Sequence, residues 1–267
     1  MAHTLSYEPV DHFVRVAATL GGRPGRFLVD SGIGLTVVAT STAESVGAVA
    51  LERTFTGRRM SGQEVSVPLV RLPVLEVAGL AFRDHLAGVV DLGPTDGDRG
   101  FDGVLGLDLF VDLALTVDPD ARTVTLAEAA PDGLDVPVEV ERDGPSVATY
   151  TRLVLPSGRV VRVEVDTGSG SLILDDVLMS DCDVEPEAAG IDVRTGTDET
   201  GHEYVRRFVT IAGSVQIDGV PATAQARPRV QFQRIRYDGL VGTDFLNRFR
   251  QTFDVRGSRL VLEPLAR

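Results

Sequence analysis

Two copies of one sequence pattern constrain the fold of this 267-residue chain more than any other feature. In each copy an apolar run ends in Asp-Ser/Thr-Gly, first at Asp30–Gly32 and again at Asp166–Gly168. Repeated aspartates pair at a constant spacing of 136 positions: Asp30 with Asp166, Asp102 with Asp238, and Asp118 with Asp254. Three blocks in one register indicate two structurally equivalent halves, and a repeat this long does not suit a solenoid.

The pattern within each half is typical of an all-β protein. Runs rich in Val and other β-branched residues alternate with polar residues and stop at Gly, Pro and Asp clusters. The strongest predicted strands are His12–Leu20, Arg26–Val29, Val65–Leu72, Arg159–Val165 and Tyr204–Ile211. Helical signals are short and fall on Thr40–Gly47 and Asp175–Ser180. The fold expected is therefore two β-rich lobes related by a pseudo-twofold axis, with short helices.

A Pro, Gly and Asp stretch at Ala130–Pro137 has the composition of a linker. It places the domain boundary between an N-terminal lobe of residues 1–131 and a C-terminal lobe of residues 132–267.

The Asp-Ser/Thr-Gly tripeptides become informative as a pair. One copy alone is usually an ordinary turn, in which Gly allows a sharp bend and the hydroxyl binds nearby backbone groups. A pseudo-twofold axis would instead bring Asp30 and Asp166 side by side at the lobe interface. Two carboxyl groups so close share one proton, so that one can accept a proton from water while the other polarises a carbonyl.

These motifs make the sequence similar to the retropepsin-like aspartic proteases, in a single-chain form that carries both halves. The match includes two apolar residues followed by Gly, at Val104–Gly106 and Leu240–Gly242, which in that family pack beneath the catalytic loops. The resemblance implies a closed-barrel β lobe in each half, a peptide cleft between the lobes, and catalysis by Asp30 and Asp166.

The resemblance also implies residues that support the loops or bind substrate. In the loops these are Ser31, Gly32, Thr167 and Gly168. The family places a flap hairpin between each loop and its packing motif, which predicts flaps at Phe55–Gly62 and Arg194–Gly201. The flap candidates for substrate contact are Met60, Gly62, Gly201 and His202, although generic hairpin turns and an exposed loop histidine explain the same residues.

Charge and composition exclude several other classes. A formal net charge of −13 argues against a nucleic-acid groove, while an acidic surface leaves open a preference for basic substrates. The four histidines lack metal spacing, so neither a metal nor a cofactor is expected. The single cysteine, the absence of a basic and apolar leader and the lack of a membrane-length apolar run predict a cytoplasmic protein.

The function expected from the sequence is an aspartic endopeptidase that cleaves a peptide or protein substrate. Both lobes lie in one chain, so a monomer could form the complete site. The alternative keeps the fold without proteolysis, as a peptide- or partner-binding module or as an enzyme using the Asp pair on a non-peptide substrate.

Overall fold

The computed structural model describes residues 1–93, 97, 100–197 and 203–265. The strands up to the middle of the chain are β1 Ala2–Val10, β2 Phe13–Leu20, β3 Arg23–Val29, β4 Val37–Ala39, β5 Val49–Arg58, β6 Glu64–Arg71, β7 Leu75–Val77, β8 Leu80–Phe82, β9 Leu86–Val90, β10 Gly103–Leu105, β11 Ala114–Asp118, β12 Thr123–Ala127 and β13 Leu134–Pro137.

The remaining strands are β14 Glu139–Asp143, β15 Ser146–Val154, β16 Val160–Val165, β17 Leu172–Asp175, β18 Asp192–Thr197, β19 Glu203–Thr210, β20 Ser214–Ile217, β21 Val220–Ala226, β22 Arg229–Gln233, β23 Gly239–Val241, β24 Phe249–Asp254 and β25 Arg259–Pro264. Helices are short: α1 Thr40–Ser45, α2 Thr243–Leu246, and 3-10 turns at Leu107–Phe110, Asp176–Leu178 and Ser180–Cys182. No helix among the described residues is long and apolar enough to cross a membrane.

The two halves have the same strand order around their Asp-containing loops. In the first half the order is β3-β10-β4-β9-β6-β5, and in the second it is β16-β23-β17-β22-β19-β18. The same pairs are parallel in both, namely β3 with β10 and β4 with β9, matching β16 with β23 and β17 with β22. The predicted all-β fold with two lobes and few short helices is confirmed.

A six-stranded antiparallel sheet, here called the interlobe sheet, joins the lobes in the order β13-β25-β24-β11-β12-β1. At its centre β11 pairs with β24, and Thr116 lies opposite Thr252. Their hydroxyl oxygens are 2.8 Å apart, and the two residues are separated by the same 136 positions as the repeated blocks. The pseudo-twofold axis therefore passes between these two threonines.

The predicted linker is partly wrong. Residues Leu134–Pro137 of the stretch form β13 and pair with β25 at the edge of the interlobe sheet. Val136 is fully buried in the core. Its neighbours Asp135 and Pro137 gave the segment the composition of a linker, so the sequence did not predict this burial. Packing against the second half outweighs the weak strand propensity of this Pro- and Asp-rich segment.

Repeated aspartates outside the Asp-Ser/Thr-Gly loops have a structural role. Asp102 accepts a hydrogen bond from the backbone N–H of Arg26 at 2.8 Å, and Asp238 accepts the equivalent bond from Arg162 at 2.9 Å. Each carboxylate thus ties the strand that leads to a central loop to the start of the strand beside it, β10 or β23. This contact explains why the Asp-Gly block repeats in register.

Candidate active site

Buried apolar strands deliver both central aspartates to the same place. Strand β3 ends at Val29 and β16 ends at Val165, and both residues are almost completely buried. The backbone N–H of Asp30 donates to Leu105 O at 3.0 Å, and that of Asp166 donates to Val241 O at 3.0 Å. These carbonyls belong to the two apolar-apolar-Gly motifs, which therefore hold the loops from beneath.

Hydroxyl groups lock the two loops to each other across the axis. Ser31 Oγ donates to the carbonyl of Val165 at 2.7 Å and accepts from the backbone N–H of Thr167 at 3.0 Å. Thr167 Oγ1 accepts from the backbone N–H of Ser31 at 2.9 Å. Both side chains are buried, so these bonds are sheltered from competing water. These hydrogen bonds fix the separation of the two loops.

The carboxyl groups of Asp30 and Asp166 lie close together, each against the glycine of the opposite loop, and each shifts the pKa of the other. Each also accepts a hydrogen bond within its own loop, from Gly32 N at 2.7 Å and from Gly168 N at 2.8 Å. A Cβ atom at Gly32 would collide with the carboxyl group of Asp166, and one at Gly168 would collide with that of Asp30. Glycine is required in both loops because each carboxyl group crosses to the opposite loop.

The two carboxyl groups differ in electrostatic environment. Burial raises the pKa of Asp166 well above its ordinary value, and the charges of Asp30 and Glu164 raise it further. Burial also raises the pKa of Asp30, but hydrogen bonds from Gly32, Asp166, Gly168 and Ile33 oppose that rise. One proton shared by the pair therefore resides mainly on Asp166.

A third carboxyl group, Glu164, is buried two residues before Asp166. It accepts a hydrogen bond from the Tyr237 hydroxyl at 2.7 Å. Burial raises the pKa of Glu164 to about 7. The hydrogen bond from Tyr237 opposes this rise, and the charge of Asp30 adds to it. The Tyr237 ring meets the ring of Tyr150 edge-on, with centroids 6.4 Å apart. Tyr150 in turn lies directly opposite Glu164 across the β15–β16 pair.

Residues from each lobe also touch the loop of the other lobe. His12 lies at the β1–β2 turn, and its Nε2 is 2.9 Å from the carbonyl oxygen of Gly168. A carbonyl only accepts, so this nitrogen carries a proton and donates. In the other direction the backbone N–H of Val147 donates to Gly34 O at 2.8 Å.

The first predicted flap is a hairpin whose tip reaches the second lobe. Strands β5 and β6 form its arms. The Met60 carbonyl accepts a hydrogen bond from the backbone N–H of Arg236 at 3.0 Å, and the Met60 side chain packs with Ile235. Gly62 is exposed and closes the turn with a φ of +89°, a conformation that favours glycine. The tip thus covers the region between the lobes.

The described arms of the second predicted flap are β18 and β19, which pair antiparallel. Gly201 and His202, predicted to contact substrate from this hairpin, lie outside the described residues.

An apolar cavity of about 730 Å³ opens beside the Asp30 loop under the first flap. Gly32 and Ile33 of the loop line it, and its other walls are mainly apolar side chains of the first lobe, including Val37, Phe55 and Val67. Cavities of this size accept several side chains of a ligand. Among the described residues, no group of three or more His, Cys, Asp or Glu side chains could hold a metal ion.

Sequence reasoning missed Glu164, Tyr237 and His12. The first two could have been found by comparing the halves at the common spacing, because Leu28 and Phe101 occupy their positions in the first half. A glutamate that replaces leucine inside an apolar strand is unusual enough to indicate a buried polar contact. No sequence signal marks His12, since its contact depends on the arrangement of the lobes.

Comparison with known proteins agrees with this geometry. Residues 16–109, in the first lobe, match the family model described as an aspartyl protease. The whole chain resembles the crystal structure of an aspartic proteinase from Irpex lacteus, with a TM-score of 0.61, 16% identity and coverage of 100% of this chain and 98% of that one. Comparison with curated proteins found no match.

The match of the first lobe agrees with the aspartic protease resemblance that the sequence motifs predicted, and the structural match shows a two-lobed fold for the whole chain. The likeness in structure, at this level of identity, concerns the fold.

Proposed function

We propose that this chain is an aspartic peptidase that hydrolyses peptide bonds with a water molecule activated between Asp30 and Asp166. The family match and the two-lobed fold support aspartic peptidase activity in general. The observation that carries the specific proposal is the close approach of the two carboxyl groups at the pseudo-twofold axis, each lying against the glycine of the opposite loop.

The electrostatics favour different roles for the two aspartates. Asp30, on which several hydrogen bonds favour the charged form, accepts a proton from the attacking water. Asp166, which holds the shared proton, donates a hydrogen bond to the carbonyl oxygen of the scissile peptide bond. The water oxygen bonds to the carbonyl carbon, giving a tetrahedral intermediate. Transfer of a proton to the leaving nitrogen breaks the carbon–nitrogen bond and releases two peptides.

The surroundings of the pair suit this chemistry. The Ser31 and Thr167 hydroxyl groups hold the loops at a fixed separation, so the carboxyl groups need no rearrangement during reaction. The first flap covers the space between the lobes, and the apolar cavity beside Ile33 offers a place for a substrate side chain. In this proposal residues 1–131 and 132–267 form the two lobes, and both are required for the site.

Replacement of either aspartate tests the proposal. Asp30→Asn and Asp166→Asn should each lower peptide cleavage by about 10²- to 10⁴-fold, because neither amide can take part in proton transfer. The matched control is Asp120→Asn, an exposed aspartate in the β11–β12 turn, which should leave cleavage unchanged. Retention of cleavage in either loop variant would contradict the mechanism.

A further inference from the structure

A second cavity, of about 780 Å³, lies between the tip of the first flap and strands β19 and β22 of the second lobe. We call it the cationic cavity because five arginines line it: Arg59, Arg206, Arg207, Arg234 and Arg236. Asp176 and Glu203 are the acidic residues in the described lining. In a chain with a formal net charge of −13, this concentration of positive charge is local and opposite in sign to the whole.

Arg207 neutralises one of the two acidic residues. Its guanidinium forms an ion pair with Asp176 at 3.1 Å. Glu203 is exposed, so water screens its charge more effectively. Arg206, Arg234 and Arg236 form no ion pair with another described residue. Among the described residues, the cavity lining therefore holds more guanidinium groups than carboxylates.

Arg206 is held in a fixed orientation at the cavity wall. Its Nε donates to Gln233 Oε1 at 3.1 Å, and its guanidinium carbon lies 3.9 Å from the centre of the Tyr204 ring. Gln233 is 5% exposed and accepts a second hydrogen bond from Gln231 Nε2 at 2.7 Å. A buried glutamine and an aromatic ring thus position this guanidinium before any ligand arrives, which reduces the entropic cost of binding.

One hydroxyl group at the cavity wall has no partner among the described residues. Ser61, at the tip of the first flap, lines the cavity, and its Oγ is buried with no hydrogen-bond partner among the described residues. Buried hydroxyl groups normally have a partner, because an unsatisfied one is costly.

The cationic cavity and the apolar cavity beside the Asp30 loop share one lining residue. Arg59 of the first flap lines both of them. An extended peptide that spanned both cavities would meet apolar walls on the first-lobe side and arginines on the second-lobe side. Guanidinium groups bind carboxylates in a planar, often bidentate, geometry, so the arginines select acidic side chains rather than any polar group.

We propose that the cationic cavity is a substrate subsite for Asp or Glu side chains, so that the enzyme prefers peptides with an acidic residue on the side of the scissile bond that faces the second lobe. This proposal rests on the proposed peptidase function and specifies its substrate class. It is opposite to the preference for basic substrates that the overall charge of the chain left open.

The test compares matched peptides. A peptide library cleaved by the full-length protein first provides a cleavable sequence, and its residue on the second-lobe side is then varied as Glu, Gln or Lys. Above about pH 5, where the Glu side chain is ionised, the wild-type kcat/KM should be about tenfold higher for Glu than for Gln, and lower still for Lys. Equal values for the Glu and Gln peptides would overturn the subsite.

Variants locate the preference in the cavity. Arg206→Gln and Arg234→Gln should each reduce the Glu-to-Gln ratio, and their combination should bring it to about one. The control is Arg152→Gln, which removes an exposed arginine paired with Asp218 and should keep the ratio of the wild type. A ratio that survives in the double variant would place the selectivity elsewhere.

A binding measurement separates failure of the subsite from failure of the peptidase proposal. The Asp30→Asn variant, which should not cleave, is titrated with fluorescent Glu and Gln peptides and followed by anisotropy. Tighter binding of the Glu peptide, weakened by added salt, supports the subsite even if the wild type cleaves nothing. Equal binding overturns the subsite even if the wild type cleaves peptides.

Discussion

The strands that lead to the two central aspartates share one backbone arrangement but differ in the side chains beside it. In the first lobe, the residue two positions before Asp30 is Leu28, which packs in an apolar cluster that includes Phe101. In the second lobe the corresponding residues are Glu164 and Tyr237, and their side chains are hydrogen-bonded to each other. The halves are therefore symmetric in fold and asymmetric in electrostatics.

This difference shows how a repeated scaffold can assign different roles to equivalent residues. Two identical environments would leave the shared proton equally on both carboxyl groups. Glu164 lies two residues before Asp166 in the same segment. When Glu164 is ionised, its negative charge raises the pKa of Asp166. The asymmetry therefore favours Asp166 as the protonated member and Asp30 as the ionised one.

The largest effect on stability should come from removing the buried charge of the second lobe. The pKa of Glu164 is about 7 in the folded protein and near 4.5 when exposed in the unfolded chain. The folded state thus binds the proton more tightly, so this stabilising contribution is present below about pH 4.5 and is lost as the pH rises through 7. The loss approaches about 3 kcal/mol in the free energy of unfolding.

Glu164→Gln should remove that loss, because the amide keeps an acceptor for the Tyr237 hydroxyl and does not ionise. Urea unfolding at pH 5 and pH 8 gives the change in the free energy of unfolding between the two pH values, which is then compared between the wild type and the variant. Glu139→Gln, an exposed carboxylate in the same lobe, is the control and should resemble the wild type. Equal pH dependence in the wild type and Glu164→Gln would show that Glu164 ionises normally.

Gly32 and Gly168 should be equally intolerant of substitution, because each faces the carboxyl group of the opposite loop. Gly32→Ala and Gly168→Ala each place a methyl group against the opposite carboxyl group. Displacement of a reacting group by about 1 Å can lower the rate about 10²-fold, and we expect a loss of that size in kcat from either variant.

The control for the glycine variants is Gly79→Ala. Gly79 has open space around it and a φ of +77°, so alanine there should cost stability but not activity of the folded protein. Full activity in one loop variant and loss in the other would mean that the carboxyl groups do not cross symmetrically.

The hydroxyl contacts between the loops should contribute a smaller amount to stability. Ser31→Ala removes a donor to Val165 O and leaves the Thr167 N–H without its acceptor, which should cost about 1–3 kcal/mol in the free energy of unfolding. Thr167→Val removes one acceptor, so its cost should be lower. Thermal and urea unfolding measure both, and a larger cost for Thr167→Val would reverse the expected order.

The smallest effect should be a shift in the pH profile of cleavage. When Glu164 is ionised, its charge raises the pKa of Asp166, so activity persists to higher pH. Glu164→Gln should therefore move the alkaline limb of kcat/KM toward lower pH, whereas Glu139→Gln should not. A shift toward higher pH would contradict the direction of the coupling.

Much of the fold follows from the sequence because it depends on local pattern and on the repeat. The predicted strands at His12–Leu20 and Arg159–Val165 match β2 and β16 within a residue at either end. The predicted helix at Thr40–Gly47 is α1, which ends at Ser45. The repeat also predicted that Asp30 and Asp166 lie together, because residues close to a twofold axis face their equivalents across it.

Other features depend on contacts that a single sequence does not reveal. The pairing of β13 with β25 requires an edge that only the folded second half provides. The cationic cavity gathers arginines from the flap and from two strands that are distant in sequence. The average charge of the chain gave no indication of this patch, because average charge describes the surface as a whole.

Hydrolysis in water enriched in ¹⁸O tests the central claim most directly. A peptide library is incubated with the wild type, Asp30→Asn and Asp120→Asn, and the products are analysed by mass spectrometry. We expect the wild type and Asp120→Asn to generate new carboxyl termini carrying one solvent oxygen, with no covalent adduct on the protein, and Asp30→Asn to generate almost none. New termini produced at the wild-type rate by Asp30→Asn, or a peptide–enzyme adduct, would contradict activation of water by the Asp30–Asp166 pair.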